Sequence, residues 1–543
     1  MDDWRNDDQP DNKYLGLTAT QFNLAFITVI GAVALVGALY FGGVDAVREY
    51  LGDEPSSSQA VAVETSTPID TATSMESPEA PSSVAVFQWS ICRFTVPSGW
   101  QVDCGDLIVP EIHSQPEGRT ISLHVAILRT ESDNPAPDPI VYLEGGPGGS
   151  SLESARYIFP SFGPFLTNRD VIFFDQRGVG LSEPSLNCLE LQKLQYQTIQ
   201  QDLSLDEEAT LATEAAMVCR DHLLRQSVNP AAYTSAENAA DLNDLRLALG
   251  YEEWNLYGIS YGTKLALTTM RDFPNGIRSV VLDSTYPLQV DAYAEMSVNA
   301  SRAFRVLFDG CATDATCNYA YPDLETVFFD LVQQLNAAPA NVSIDTINHF
   351  THQPVESALI DGDSFVGIFF GALYVSEIIP FLPEMIYDIR DGDYELLGRI
   401  TENSLLPTNF FSGGMHFSVQ CGEEVRFSSQ EEGAVAGEVY PELQSWADSD
   451  PIFTICQSWG AKEADPIENE PVVSDIRTLI LAGEYDPITP PAWGELVAAN
   501  LSNSVYFEFP DLGHGVSLSG ECPLSITLGF FDDPTIEPDG YCR

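Results

Sequence analysis

The segment Trp254-Asn255-Leu256-Tyr257-Gly258-Ile259-Ser260-Tyr261-Gly262-Thr263-Lys264 constrains this chain more than any other. A short apolar run ends in G-x-S-x-G, and a helix-compatible stretch, 263–271, follows at once. The pattern predicts a strand that turns sharply into a helix and leaves one hydroxyl, that of Ser260, exposed at the crest. Gly258 and Gly262 lack a β-carbon, so strand and helix can close around a strained serine backbone. The five-residue pattern alone arises by chance in glycine-rich chains, so its meaning depends on what else the chain supplies.

A serine hydroxyl is a poor nucleophile at neutral pH. It needs a base, an acid that orients the base, and donors for the oxyanion. Downstream, Thr478-Leu479-Ile480-Leu481-Ala482-Gly483 reads as a buried strand that runs into Glu484-Tyr485-Asp486-Pro487. Asp486 is the preferred orienter, with Glu484 as the alternative, because Pro487 ends regular structure and leaves the acid in a strand-end loop. Val505-Tyr506-Phe507-Glu508-Phe509 is a further strand, and the loop after it carries His514 between Gly513 and Gly515. His514 is one of only seven histidines, and it falls third in the order serine, acid, histidine that this kind of turn requires. One oxyanion donor is expected from the amide of Tyr261, the residue after the serine. The other is expected from the glycine-rich run after the strand Ile140-Val141-Tyr142-Leu143, in Glu144-Gly145-Gly146-Pro147-Gly148-Gly149-Ser150. Pro147 cannot donate, so Gly146 is the expected donor, with Gly145 and Gly148 as alternatives. The run lacks the G-K-[ST] ending of a phosphate-binding loop.

Four motifs therefore fall in one order: E-G-G-P-G-G at 144–149, D-Q-R-G at 175–178, G-I-S-Y-G at 258–262, and the pair Asp486/His514. Together they resemble the serine peptidases of the prolyl aminopeptidase and tripeptidyl aminopeptidase group within the α/β-hydrolases, from about residue 87 onward. The stretch from about residue 457 looks like the tripeptidyl branch. Prolyl aminopeptidases usually show His-Gly-Gly-Pro-Gly, where this chain has Glu144, which also points to the tripeptidyl-like branch. The resemblance implies Ser260 as nucleophile, His514 as base and Asp486 as orienter, in agreement with the residues read on their own. The D-Q-R-G run is expected to brace the loops behind the oxyanion donors through charged hydrogen bonds.

Alternating strands and helices argue for a mostly parallel sheet with helices on both faces, the α/β-hydrolase fold. With 543 residues the chain exceeds a minimal core of that kind. The excess, 291–470, contains helix-like segments at 291–308, 324–335, 364–373 and 382–389, and is expected to form a helical cap between core parts 87–290 and 471–543. A cap restricts entry and excludes water, which suits short peptides or small esters.

Residues 22–44, between a short tail at 1–21 and the stretch that follows, form an uncharged apolar run of roughly 34 Å as a helix, long enough for a bilayer core. A cleaved signal peptide is the competing reading, but the apolar run is long and the leading region is net acidic. We therefore expect one uncleaved transmembrane helix, followed by a Ser/Thr/Pro-rich stalk over 45–86. Arg5 and Lys13 before the helix, against Arg48 after it, favour a cytoplasmic N-terminus and a catalytic domain displayed outside the cell membrane. Ten cysteines agree with an oxidising compartment. Pairing of sequence neighbours gives Cys92–Cys104, Cys188–Cys219, Cys311–Cys317, Cys421–Cys456 and Cys522–Cys542. No C-x-x-C pair or clustered Cys/His spacing suggests a metal, and no cofactor is expected.

The net charge of −56, from 80 acidic and 24 basic residues, argues against nucleic acid as a partner. The resemblance implies an activity that removes short units from free peptide N-termini. Glu423, or Glu424 beside it, is the expected counterpart of a substrate ammonium group, fixed in the cap by the neighbouring Cys421. An ester hydrolase would use the same residues, and a catalytically silent surface binding module would have lost one of them.

Overall fold

The computed structural model describes residues 85–405, 409–428 and 439–542. The anchor expected at 22–44 and nearly all of the stalk at 45–86 lie outside these residues. Among the described residues no helix is long and apolar enough to cross a membrane.

Among the described residues nine strands form one sheet: β1 (Val86–Ser90), β2 (Val102–Pro110), β3 (Thr120–Leu128), β4 (Ile140–Leu143), β5 (Val171–Phe174), β6 (Trp254–Ile259), β7 (Ile277–Asp283), β10 (Arg477–Gly483) and β11 (Ser504–Phe509). Their order is β1-β2-β3-β5-β4-β6-β7-β10-β11. β1, β2 and β3 join antiparallel, and everything from β5 to β11 is parallel. The central strands β4, β5 and β6 are apolar-rich and buried along their whole length, as strands covered on both faces must be. Successive side chains feed two separate cores. Tyr142 and Tyr257 join Phe159, Phe162 and Phe173 on one face, whereas Val141, Leu143 and Leu256 pack with Leu265 and Leu242 on the other.

The inserted span carries helices Ala292–Thr313, Leu324–Ala337, Gly362–Ala372 and Leu382–Arg390, close to the expected segments. It is not all helical. An antiparallel hairpin, β8 (Ala340–Ile347) with β9 (Pro354–Ile360), lies within it. Along β8 burial alternates residue by residue, the period-2 signature of a half-buried strand. Phe304, Phe328 and Phe369 of the insertion join the same apolar cluster as Tyr142 and Tyr257, and Met415, Phe417 and Trp459 join the other, so the insertion packs with both.

Disulfides join Cys92–Cys104, Cys188–Cys219, Cys311–Cys317, Cys421–Cys456 and Cys522–Cys542, the neighbour pairing expected from sequence.

Candidate active site

Five loops converge at the carboxyl ends of parallel strands. They follow β4 (the glycine-rich run), β5 (Asp175 to Gly178), β6 (Ser260), β10 (Asp486) and β11 (His514). In an open parallel sheet this edge is where strand ends leave backbone groups free for ligands.

Ser260 stands between β6 and helix Tyr261–Asp272 with φ 58° and ψ −129°, a conformation that non-glycine residues avoid. The strain is held in place from several sides. The Ser260 amide donates to the Asp283 carbonyl at 3.0 Å, and the Ser260 carbonyl accepts from the Thr263 hydroxyl at 2.6 Å and the Thr263 amide at 2.8 Å. The two glycines of the motif serve close approach. A β-carbon on Gly258 would strike the backbone of Gly262, and one on Gly262 would strike the carbonyl of Leu143 in β4.

Tyr261 opens the helix, so its amide has no acceptor within the helix. Gly146 has φ 125°, which only glycine adopts easily, and its amide donates no hydrogen bond among the described residues. Gly145 lies against the nucleophile, since a β-carbon there would be 3.0 Å from the Ser260 Cβ. The glycine loop is pinned on both sides. From the insertion, the Ser412 amide donates to Gly148 O at 2.8 Å, and the Ser150 amide donates to Phe410 O at 2.7 Å. From the core, Gln176 Nε2 donates to the Glu144 carbonyl at 2.9 Å, while the Asp175 carboxylate accepts from the Ser150 hydroxyl and the Leu152 amide. Arg177 is fully buried on a bidentate pair with Asp241. The D-Q-R-G run thus braces the loop through ordered donors and acceptors. Burial raises the Glu144 carboxyl to about 7 despite donors from Gly145 and Tyr142, and its Oε2 has no hydrogen-bond partner among the described residues.

The structure brings Asp486 and His514 together, with Nδ1 of the ring 2.8 Å from Asp486 Oδ2. That leaves Nε2 as the ring nitrogen free to exchange a proton. Both residues are buried, and the ring of Tyr374 packs on His514 at 4.9 Å between centroids. Burial alone would raise the Asp486 carboxyl. The charge and hydrogen bond of His514, with donors from Thr489, outweigh it and hold the group below its ordinary value. Glu484 instead accepts from the Asp511 amide and does not reach the ring.

Thr489 belongs to this constellation although the sequence did not single it out. Its hydroxyl donates to Asp486 Oδ2 at 2.7 Å and lies 3.1 Å from His514 Nδ1, and its amide donates to Asp486 Oδ1 at 2.8 Å. The run Asp486-Pro487-Ile488-Thr489 carries the signal of an aspartate folding its side chain over amides two and three residues ahead.

Glu423 does not stand open to a substrate. It is 3 % exposed, and its carboxylate accepts from the Ser235 amide and the Ser235 hydroxyl, both at 2.6 Å. Burial raises its carboxyl to about 7 in spite of Lys264 and these donors. Glu424 is equally engaged, in a buried ion pair with Lys264. The expectation of a free acidic counterpart at 423 is corrected on this ground: the carboxylate is spent on the start of helix Ser235–Leu249. Among the described residues no group of His, Cys, Asp and Glu is arranged to hold a metal.

Residues 138–341 match the family model described as alpha/beta hydrolase fold, and residues 446–542 match that described as TAP-like protein. The chain is 23% identical over 487 residues to the serine protease Hip1 of Mycobacterium tuberculosis, covering 83% of this chain and 90% of that one. It is 30% identical over 210 residues to a tripeptidyl aminopeptidase of Streptomyces coelicolor, covering 37% of this chain and 38% of that one. It is also 26% identical over 258 residues to carboxylesterase B of Mycobacterium tuberculosis, covering 46% and 48%.

Proposed function

We propose that this chain, a serine hydrolase whose residues 138–341 match the alpha/beta hydrolase fold model and 446–542 the TAP-like model, is an aminopeptidase releasing short units from free peptide N-termini. The observation that carries the reaction is the His514–Asp486 pair at the same sheet edge as a strained Ser260 flanked by two unengaged amides. Ser260 Oγ attacks the scissile carbonyl while Nε2 of His514 takes its proton. The amides of Gly146 and Tyr261 hold the oxyanion. His514 returns the proton to the leaving amine, and water, activated by the same ring, releases the acyl group from Ser260.

The peptide preference rests on the tripeptidyl aminopeptidase and protease relatives and on an insertion packed against the core. For Glu423 to meet a substrate ammonium it would first have to leave Ser235. The site is proposed to face the outside of the cell membrane, tethered by the apolar run at 22–44, a placement supported by five disulfides.

The test uses the full chain in detergent beside its Ser260→Ala variant. Both are assayed on matched chromogenic di- and tripeptides with free or acetylated N-termini, and on a short-chain ester. Cleavage of free but not acetylated peptides, lost in the variant, is the expected result. Turnover of the ester alone would instead support the second reading, an ester hydrolase, which the carboxylesterase relative favours.

A further inference from the structure

Residues 513–517, the loop that carries His514, present five consecutive amides, and each has a specific acceptor. The first two look toward the insertion: Gly513 N–H donates to Ser376 Oγ at 2.9 Å, and His514 N–H to Tyr374 O at 3.0 Å. The other three look toward the end of β7. Gly515 N–H donates to Ser284 Oγ at 2.6 Å, Val516 N–H to Asp283 Oδ1 at 2.9 Å, and Ser517 N–H to Asp283 Oδ2 at 2.8 Å. The Ser517 hydroxyl also donates to Asp283 Oδ2 and pairs with the hydroxyl of Tyr257 in β6.

Asp283 is the residue whose carbonyl receives the Ser260 amide. One buried residue therefore grips the nucleophile through its backbone and the base loop through its side chain. We infer that Asp283 is a positioning residue, which fixes the His514 ring relative to Ser260 by clamping the Val516 and Ser517 amides to the nucleophile's neighbouring strand. This rests on the reading of Ser260 and His514 as nucleophile and base.

Three observations support the inference beyond proximity. Asp283 is fully buried and its oxygens form no ion pair with any Lys or Arg among the described residues, so the loop donors are what offset its desolvation. Burial lifts the carboxyl to about 6 against the Ser517 and Val516 donors and the charge of His514, and both oxygens accept from loop amides. The adjacent Ser284 is held at φ 55°, a left-handed conformation unusual for serine, with its hydroxyl on Gly515. The clamp is also independent of the pairing that orients the ring itself, because the His514 Nδ1 contact goes to Asp486 and not to Asp283.

The arrangement makes the base a shared element. The insertion holds its N-terminal side and the core holds its C-terminal side, so movement of the insertion would drag the base off the nucleophile unless the β7 clamp resists. Asp283 touches neither the reacting atoms nor the oxyanion amides, so its loss should act on turnover through His514.

The experiment compares the full chain with Asp283→Asn, Ser284→Ala and Ser260→Ala, measuring kcat and KM separately on the best substrate, and thermal unfolding of each. An asparagine amide keeps one acceptor and turns an N–H₂ toward a second donor, so one of the two loop amides loses its partner. Misplacement of a catalytic group by up to 1 Å costs on the order of a hundredfold. We expect Asp283→Asn to lower kcat by about ten- to a hundredfold with KM within about twofold, and Ser284→Ala to lower kcat by roughly three- to tenfold. If Asp283→Asn does not fold, Ser284→Ala decides alone. Wild-type kcat in the folded variants, or a rise in KM with kcat unchanged, overturns the clamp while an inactive Ser260→Ala leaves the underlying reading intact. Turnover surviving in Ser260→Ala overturns that reading itself.

Discussion

Gly262→Ala should damage the protein twice, and the structure says by how much. A β-carbon at 262 would run into the Leu143 carbonyl and sit 2.8 Å from its carbonyl carbon, with the Glu144 carbonyl oxygen at 3.3 Å. Ordinary carbon contacts begin at about 3.4 Å, so helix Tyr261–Asp272 and strand β4 must part by roughly 1 Å once the oxygen is cleared as well. The clash is with backbone, between the first turn of the helix and the end of central strand β4, so no rotamer change can absorb the shift. Overpacking of this kind costs about 1–3 kcal/mol, and the upper end is expected here. Leu143 leads directly into the loop that carries Gly146, so the same displacement moves one oxyanion amide away from Ser260 and should lower kcat about a hundredfold. The assay pairs steady-state kinetics with calorimetric or optical melting. Gly529→Ala, whose β-carbon would meet nothing within 4 Å, serves as the control expected to be neutral. A Gly262→Ala protein with kcat within about twofold of wild type and an unchanged melting temperature would refute the packing argument and its link to the oxyanion loop.

Thr489→Val keeps the volume but removes the hydroxyl that donates to Asp486, so kcat should fall about tenfold with little loss of stability, checked by kinetics and melting together. His113 provides a pH signature. Burial would lower it, but hydrogen bonds to Asp244 and Glu237 and the charge of Asp241 prevail and raise it to about 9. Its folded value lies above the ordinary 6.5, so its stabilisation is complete below about pH 6.5 and is lost as pH rises toward 9. The melting temperature of wild type should therefore drop more steeply across that window than that of His113→Gln, and parallel curves would refute the assignment. Removing Cys188–Cys219 as a double alanine variant opens a loop with a sequence separation of 31 and should cost about 3–4 kcal/mol, read from denaturant unfolding.

What could be read from the sequence follows from where the determinants lie. The nucleophile turn, the glycine run and the acid and histidine loops each consist of a buried apolar strand stopped by glycine, proline or aspartate. Such signals are complete within about ten residues. The hairpin within the insertion was also written locally, in the alternation of Ala-Asn-Val-Ser-Ile-Asp-Thr-Ile over β8, but a helical reading of the whole span passed over it. Thr489 lay three residues from the chosen acid, and only the turn made by Asp486 shows why its hydroxyl matters. Glu423 is different in kind. Nothing near position 423 announces that its carboxylate will be taken by Ser235, 188 residues earlier in the chain.

The same division runs through the site. Ser260, Asp486 and His514 all sit in loops that follow core strands, where local pattern and sheet order set them along one edge. The groups that hold their loops come from far away: Ser412 and Phe410 on the glycine run, Tyr374 and Ser376 on the histidine loop, Arg302 on the carbonyls of Glu484 and Asp486. Each of these is one or two hydrogen bonds from the insertion, with no periodicity to reveal them in sequence. The chemistry is therefore legible in short motifs, because it needs a fixed set of residue types at strand ends. The contacts from the insertion are not, because each joins residues far apart in the chain, whether a hydrogen bond to a loop or the ring of Tyr374 on His514. An insertion that holds the base loop can change turnover without touching the reacting atoms. Substitutions at Tyr374 or Ser376 should then move kcat even where they touch no substrate.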